Sequence, residues 1–258
     1  MLATFLVWRE GDDFLLALAA DLHAAILKKL SMYILRSKVK LTDASADFVL
    51  LGLSGEKAES TMRNMGVTQS PPMITCLLDN GNGRLLCLAE QRYLLALPAT
   101  RAPAVWQTLS SQLRPAGLNA WRWREIMAGL PQIGAATQDE FTPQMVNYEL
   151  IGGVSFKKGC YPGQEIVART QYLGKVKRRM MRFHAEGGAP APGVPLFSPE
   201  SPDQPCGMVV LAAASPVGGQ DLLAVIQMGA LDTPSALPRL GQTDGPSLQL
   251  QPLPYSVQ

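Results

Sequence analysis

Histidine and cysteine are scarce in this chain of 258 residues, with two histidines, His23 and His184, and four cysteines at positions 76, 87, 160 and 206. No two cysteines stand at C-x-x-C spacing, so no zinc or iron–sulfur centre built by this chain alone is predicted. Four thiols rather than disulfides are expected, as in a reducing cytoplasm. Charge of one sign is also lacking: the net charge is +2, so any basic function must be local. No apolar run reaches the ~18 residues of a membrane span. The apolar start lacks the basic region of a signal peptide and is cut short by Arg9, Glu10, Asp12 and Asp13. It reads as a strand, and the expected address is the cytoplasm.

What is there is apolar material, 47% of the chain, enough for a sizeable core and for one or two domains. Short apolar runs over residues 2–8 and 14–19 predict a hairpin, or two strands with a longer turn. Leu22, Ile26, Leu30, Tyr33 and Ile34 recur at helical spacing across 20–35. Strands are predicted over 39–41, 48–53, 73–78, 84–88 and 93–97, with a turn at 80–83. Helices are predicted from Ser54 as a cap to about Met65, over 100–114 and over 120–130. The mixture is of the α+β class, with a split βαββα arrangement at its start. Composition changes at 187–205, a linker rich in Gly, Pro, Ser and Ala. Strand-like runs at 206–212, 222–228 and 248–250 follow. The expected division is 1–186 and 187–258, the latter a small β-barrel.

The segment that carries chemistry runs Gly152-Gly153-Val154-Ser155-Phe156-Lys157-Lys158-Gly159-Cys160-Tyr161-Pro162-Gly163-Gln164-Glu165. Pro162 suits a first helical position and Glu165 a first turn, with Ile166, Val167 and Leu173 facing inward. Cys160 then precedes a helix N-terminus beside Lys157 and Lys158, a setting that can lower a thiol pKa from ~8.5 to about 3.5–7.5. The other reading of Cys160 is a small apolar residue buried in a tight turn. Gly159 and Gly163 permit close ligand approach or positive φ. Between 157 and 179 stand seven basic residues, Lys157, Lys158, Arg169, Lys175, Lys177, Arg178 and Arg179, against Glu165 alone. That cluster suits a phosphate or RNA, or is the solvated face of a strand. Trp121 and Trp123 are either core and rim of one helix or an aromatic wall for a flat heterocycle. Cys76, Cys87 and Cys206 read as core, and His23 as helix surface.

Lys158-Gly159-Cys160-Tyr161-Pro162-Gly163-Gln164-Glu165 resembles the K-G-C-Y-x-G-Q-E signature of the YgfZ family. The likeness extends from Phe141-Thr142-Pro143-Gln144 and Asn147 through Gly152-Gly153 to Arg169, and again over Pro252-Leu253-Pro254-Tyr255-Ser256. The resemblance implies a fold like the T-protein of the glycine cleavage system, with several subdomains about a channel for tetrahydrofolate or a derivative. It implies an accessory factor supporting iron–sulfur client enzymes, including those of tRNA thiomethylation, with Cys160 as the working thiol. Lys158, Gly159, Tyr161, Gly163, Gln164, Glu165 and Arg169 are implied as cofactor-binding. A weak tRNA or polyanion contact through 157–179 is a further expectation; no membrane and no resident metal are expected.

Three departures shape that expectation. Family members carry some tens of residues upstream, so the first subdomain is expected to be truncated. Ala3 and Thr4 stand where T-protein aminomethyltransferases carry a catalytic aspartate, which favours an accessory factor over a folate-dependent one-carbon transferase. Met127-Ala128-Gly129 stands where relatives have E-A-G, whose glutamate contacts the pterin; a thioether cannot replace its two acceptors.

Overall fold

The computed structural model describes residues 1–64, 75–77 by their backbone, 83–89, 91–161, 163–172, 174, 176–188, 190–233 and 237–257. Met65, Met73, Ile74, Leu78, most of the 80–83 turn, Pro162, Leu173, Lys175 and the side chain of Cys76 lie outside the described residues. The chain forms two compact units: Met1–Val7, Leu16–Ile26 and Leu118–Gln258 in the first, Trp8–Leu15 and Leu27–Gly117 in the second. Strands β1 (Leu6–Glu10) and β2 (Asp13–Ala17) pair as the predicted hairpin around Gly11, whose φ of 61° meets the needs of a tight turn. Helix α1 (His23–Ser31) buries Ile26. It stops short of the predicted end, and Tyr33 is 62% exposed, because the residues beyond Ser31 have no core to pack against.

The second unit is built on a four-stranded antiparallel sheet in the order β3-β6-β5-β4. Its strands are β3 (Phe48–Ser54), β4 (Thr75–Leu77), β5 (Arg84–Ala89) and β6 (Arg92–Pro98). Helices α2 (Glu56–Asn64) and α3 (Ala102–Ser110) contribute Ala58, Met62, Ala102 and Leu109 to a core with Leu53, Leu85, Cys87, Tyr93, Leu95 and Leu97. The alternation Tyr93, Leu95, Leu97 places one face of β6 in that core. The expected strand at 39–41 does not form. Among the described residues β3 pairs only with β6, so no sheet edge takes up 39–41.

The first unit holds α4 (Leu118–Met127), α5 (Gln164–Tyr172) and a six-stranded antiparallel sheet ordered β11-β8-β9-β10-β7-β12. These strands are β7 (Arg178–Ala185), β8 (Pro195–Ser198), β9 (Ser201–Ala214), β10 (Gln220–Gln227), β11 (Arg239–Leu240) and β12 (Gln249–Gln251). An isolated bridge joins Arg239 of β11 to Ser247, just before β12, so the two edges approach and the sheet curls into a half-barrel. Its core contains Phe183, Leu196, Cys206, Val209, Leu222, Ala224, Ile226, Leu240 and Leu248. Strand β10 is buried along six consecutive residues, because α4 packs on its other face. The segment read as a linker supplies β8 and the start of β9, whose prolines occupy exposed or bulged positions rather than breaking the sheet.

Gly207 marks a close approach between β9 and β10. A Cβ there would lie 2.4 Å from the Val225 carbonyl oxygen and 3.2 Å from Ile226 Cα, both backbone atoms that cannot swing away. Gly207→Ala is expected to lower stability by about 1–3 kcal/mol, read as a fall in the urea midpoint. An unchanged midpoint would refute the steric argument.

Candidate functional site

Helix α5 begins at Gln164, after Gly163 with φ 84°. The start is fixed locally and reciprocally. The Tyr161 N–H donates to Gln164 Oε1 at 3.1 Å, and the Gln164 N–H donates back to the Tyr161 carbonyl at 3.2 Å. Glu165 occupies the first turn and Arg169 the last, each the sign that complements the helix dipole. Lys158 Nζ lies 4.3 Å from the centre of the Tyr161 ring, a cation–π contact. Lys158, Tyr161 and Gln164 therefore form one connected set, with Cys160 exposed within it. The buried reading of Cys160 is thereby set aside, whereas Cys87 and Cys206 are buried. A Cβ on Gly159 would meet nothing within 4 Å, so only Gly163 of that pair is required by backbone conformation.

Glu165 and Arg169 share the outer face of α5. Val167 is buried, but Ile166 is 64% exposed, contrary to the inward placement expected. The inward face takes in Gln164, Val167 and Ala168, so its centre lies past Val167 on the Ala168 side; Ile166, rotated by about 100° from Val167 in the other sense, points out. The basic cluster is also divided. Lys157, Lys158, Arg169, Lys177 and Arg178 are exposed, while Arg179 is buried in an ion pair with Glu149.

Behind α5 lies a buried polar chain whose roles the sequence pattern does not reveal. Gln144 donates its side-chain amide to the Val167 carbonyl at 2.7 Å, and its backbone carbonyl accepts from Arg179 at 2.9 Å. Asn147, at φ 58°, donates to the Met180 carbonyl at 2.7 Å and lies 3.5 Å from the Tyr255 hydroxyl. That hydroxyl donates to the Gly129 carbonyl at 2.7 Å. Burial pushes the Tyr255 phenol up, against the Asn147 bond. The chain thus ties α5, β7, the end of α4 and the C-terminal segment together.

A second polar set joins α4 to the half-barrel. Arg182 and His184 stand two apart on β7, and Trp123 and Met127 stand four apart on α4, so each pair presents one face. The Trp123 indole N–H donates to Asp221 Oδ2 at 2.7 Å, and His184 Nδ1 lies 2.9 Å from Asp221 Oδ1. Burial would raise the Asp221 carboxyl, but bonds from His184, Trp123 and Ser215 outweigh it and hold the group below the usual carboxylate value. Arg182 donates to the Pro252 carbonyl and to Met127 Sδ, both at 2.9 Å. Trp123 is thus fixed to the sheet through its N–H. Arg182 and His184, two apart among the apolar residues of 180–185, are the sequence signal for this set.

The Thr4 hydroxyl accepts the Ile133 N–H at 3.1 Å and bonds Tyr148. Among the described residues, no group of three or more His, Cys, Asp or Glu side chains is placed to hold a metal ion. Among them, too, no helix is long and apolar enough to cross a membrane.

The fold is that of the T-protein class. Over 98% of the chain it superposes on 72% of the glycine cleavage system aminomethyltransferase T from Bartonella henselae, with a TM-score of 0.71 at 18% identity. No family model matches the chain. Its sequence is 32% identical over 257 residues to the tRNA-modifying protein YgfZ of Enterobacter sp., covering 98% of this chain and 77% of that protein. The proteins of the same name from Cronobacter sakazakii and Escherichia coli are 31% and 29% identical, with the same coverage. The chain belongs to the YgfZ family.

Proposed function

We propose that the chain is a folate-binding accessory factor that works in the cytoplasm and supports 4Fe–4S enzymes, those of tRNA thiomethylation among them, through the Cys160 thiol. The observation that carries this reading is the placement of Cys160. Among the described cysteines it alone is exposed, in a loop whose geometry is held by Tyr161 and Gln164. An accessible thiol can act as nucleophile or soft ligand, which a buried one cannot. The relatives' name, tRNA-modifying protein, supports a client in tRNA modification. The T-protein fold supports a folate ligand. Residue 127 does not fit the pterin edge, because its thioether already accepts from Arg182 and no carboxylate stands there. No step is therefore routed through folate.

The likeness to an aminomethyltransferase favours a second reading, a folate-dependent one-carbon transferase. Against it stands Thr4, a hydroxyl used in structural bonds where that chemistry needs a carboxylate. The test is rescue of tRNA thiomethylation in cells lacking their own YgfZ-type protein. The wild-type chain is expected to restore it. Cys160→Ser is expected to abolish rescue while leaving the unfolding midpoint unchanged, since an exposed side chain contributes little to stability. Rescue that survives Cys160→Ser would remove the thiol from the mechanism, and no rescue by the folded wild type would sink the reading.

A further inference from the structure

Between Asp21 and Asp43 the chain carries five basic side chains and no acidic one. Lys28 and Lys29 lie in the last turn of α1, where a cation suits the helix dipole in any case. Arg36, Lys38 and Lys40 follow at every second position, all exposed, in a segment outside any helix or strand. Among the described residues, none of the five takes part in an ion pair. Among them stand apolar side chains that the fold leaves uncovered: Met32, Tyr33, Leu35 at 91% exposure and Val39. All belong to the second compact unit.

A surface whose task is solubility mixes both signs of charge. A membrane-surface patch gathers its apolar side chains on one face of a helix. This segment does neither: the apolar residues 32–35 follow the end of the helix, and Arg36, Lys38 and Lys40 come next with Ser37 and Val39 between them, outside any helix or strand. Such a pattern suits a polyanion with a flat apolar component, that is, a phosphodiester backbone and its unstacked bases.

We propose that residues 28–40 are an RNA-docking surface. Its cations, Lys28, Lys29, Arg36, Lys38 and Lys40, contact phosphates, and the exposed Tyr33 ring stacks on an unpaired base. The proposal names a partner for the reading above and rests on it for biological meaning, but its test is independent.

The experiment is fluorescence anisotropy of labelled tRNA with the whole purified chain across a salt series. Vesicles of phosphatidylcholine with phosphatidylserine are assayed in parallel. For the wild type, the slope of log affinity against log salt is expected at about −3 to −5. Arg36→Gln/Lys38→Gln/Lys40→Gln is expected to flatten that slope by about 2–3 and to weaken binding by at least about 30-fold at low salt. The charge-keeping Arg36→Lys/Lys38→Arg/Lys40→Arg is expected to bind as wild type, and Tyr33→Ala to weaken binding about tenfold. The proposal is overturned if the neutralised variant keeps wild-type affinity and slope, or if the wild type binds vesicles but not tRNA. A failed rescue with tRNA binding intact overturns the accessory-factor reading alone. Successful rescue alongside a neutralised variant that binds as wild type overturns the docking surface alone.

Discussion

Replacing Arg179 by alanine is expected to cost about 3–5 kcal/mol of folding stability. The Arg179 and Glu149 side chains are 9% and 6% exposed, and they form an ion pair that water hardly reaches. Removing the guanidinium leaves a buried carboxylate without its counter-charge. It also strips the Gln144 carbonyl of its donor. The cost reflects what is left unpaired, not the net worth of the pair, so a double replacement distinguishes the two. Arg179→Met with Glu149→Leu is expected to recover most of the loss in urea unfolding. A double variant as unstable as the single one would show that packing, not the stranded charge, sets the cost.

Asp221 offers the second large effect, with a definite pH signature. Its folded pKa lies below the unfolded value, so the carboxylate's contribution is fully present above the unfolded pKa of about 3.9. It is lost as pH falls through the folded value. Asp221→Ala removes the acceptor of the Trp123 indole and the partner of His184 together, and about 2–4 kcal/mol is expected at neutral pH. Asp221→Asn keeps an acceptor for Trp123 and is expected to cost less. Because it cannot ionise, its stability should fall less steeply than that of the wild type between neutral pH and about pH 3. The groups facing this carboxylate are Trp123 on α4, Arg182 and His184 on β7, and Ser215 after β9; Glu186 lies 3.8 Å from the far nitrogen of His184. Parallel slopes for wild type and Asp221→Asn would mean that another group governs the acid limb.

The two sets serve one end. Gln144 holds the Val167 carbonyl and therefore α5, and Arg179 holds Gln144. The thiol of Cys160 is thus carried on a loop whose following helix is anchored to the buried interior of the first unit. Damage to Arg179 should disturb that loop without touching it.

Much of the fold and of the thiol loop is legible in the amino-acid sequence. Continuous apolar runs mark β5, β6 and β10 as buried strands. The glycine and proline spacing around Cys160 announces a turn into a helix. These are local properties, set by side-chain periodicity and backbone conformation within a few residues. Other features depend on partners distant in sequence. Arg179 looks like one more cation in a basic run; it turns inward because β7 pairs with β10 in a register that places it beside Glu149, thirty positions earlier. Ile166 faces out because the interior meets α5 one residue further on. Residues 39–41 have strand-like chemistry but no neighbouring strand to complete it. The sequence by itself determined most of the elements and the turn that carries Cys160. The tertiary structure alone decided which charges are buried and paired, because burial is set by what the rest of the chain brings against a residue.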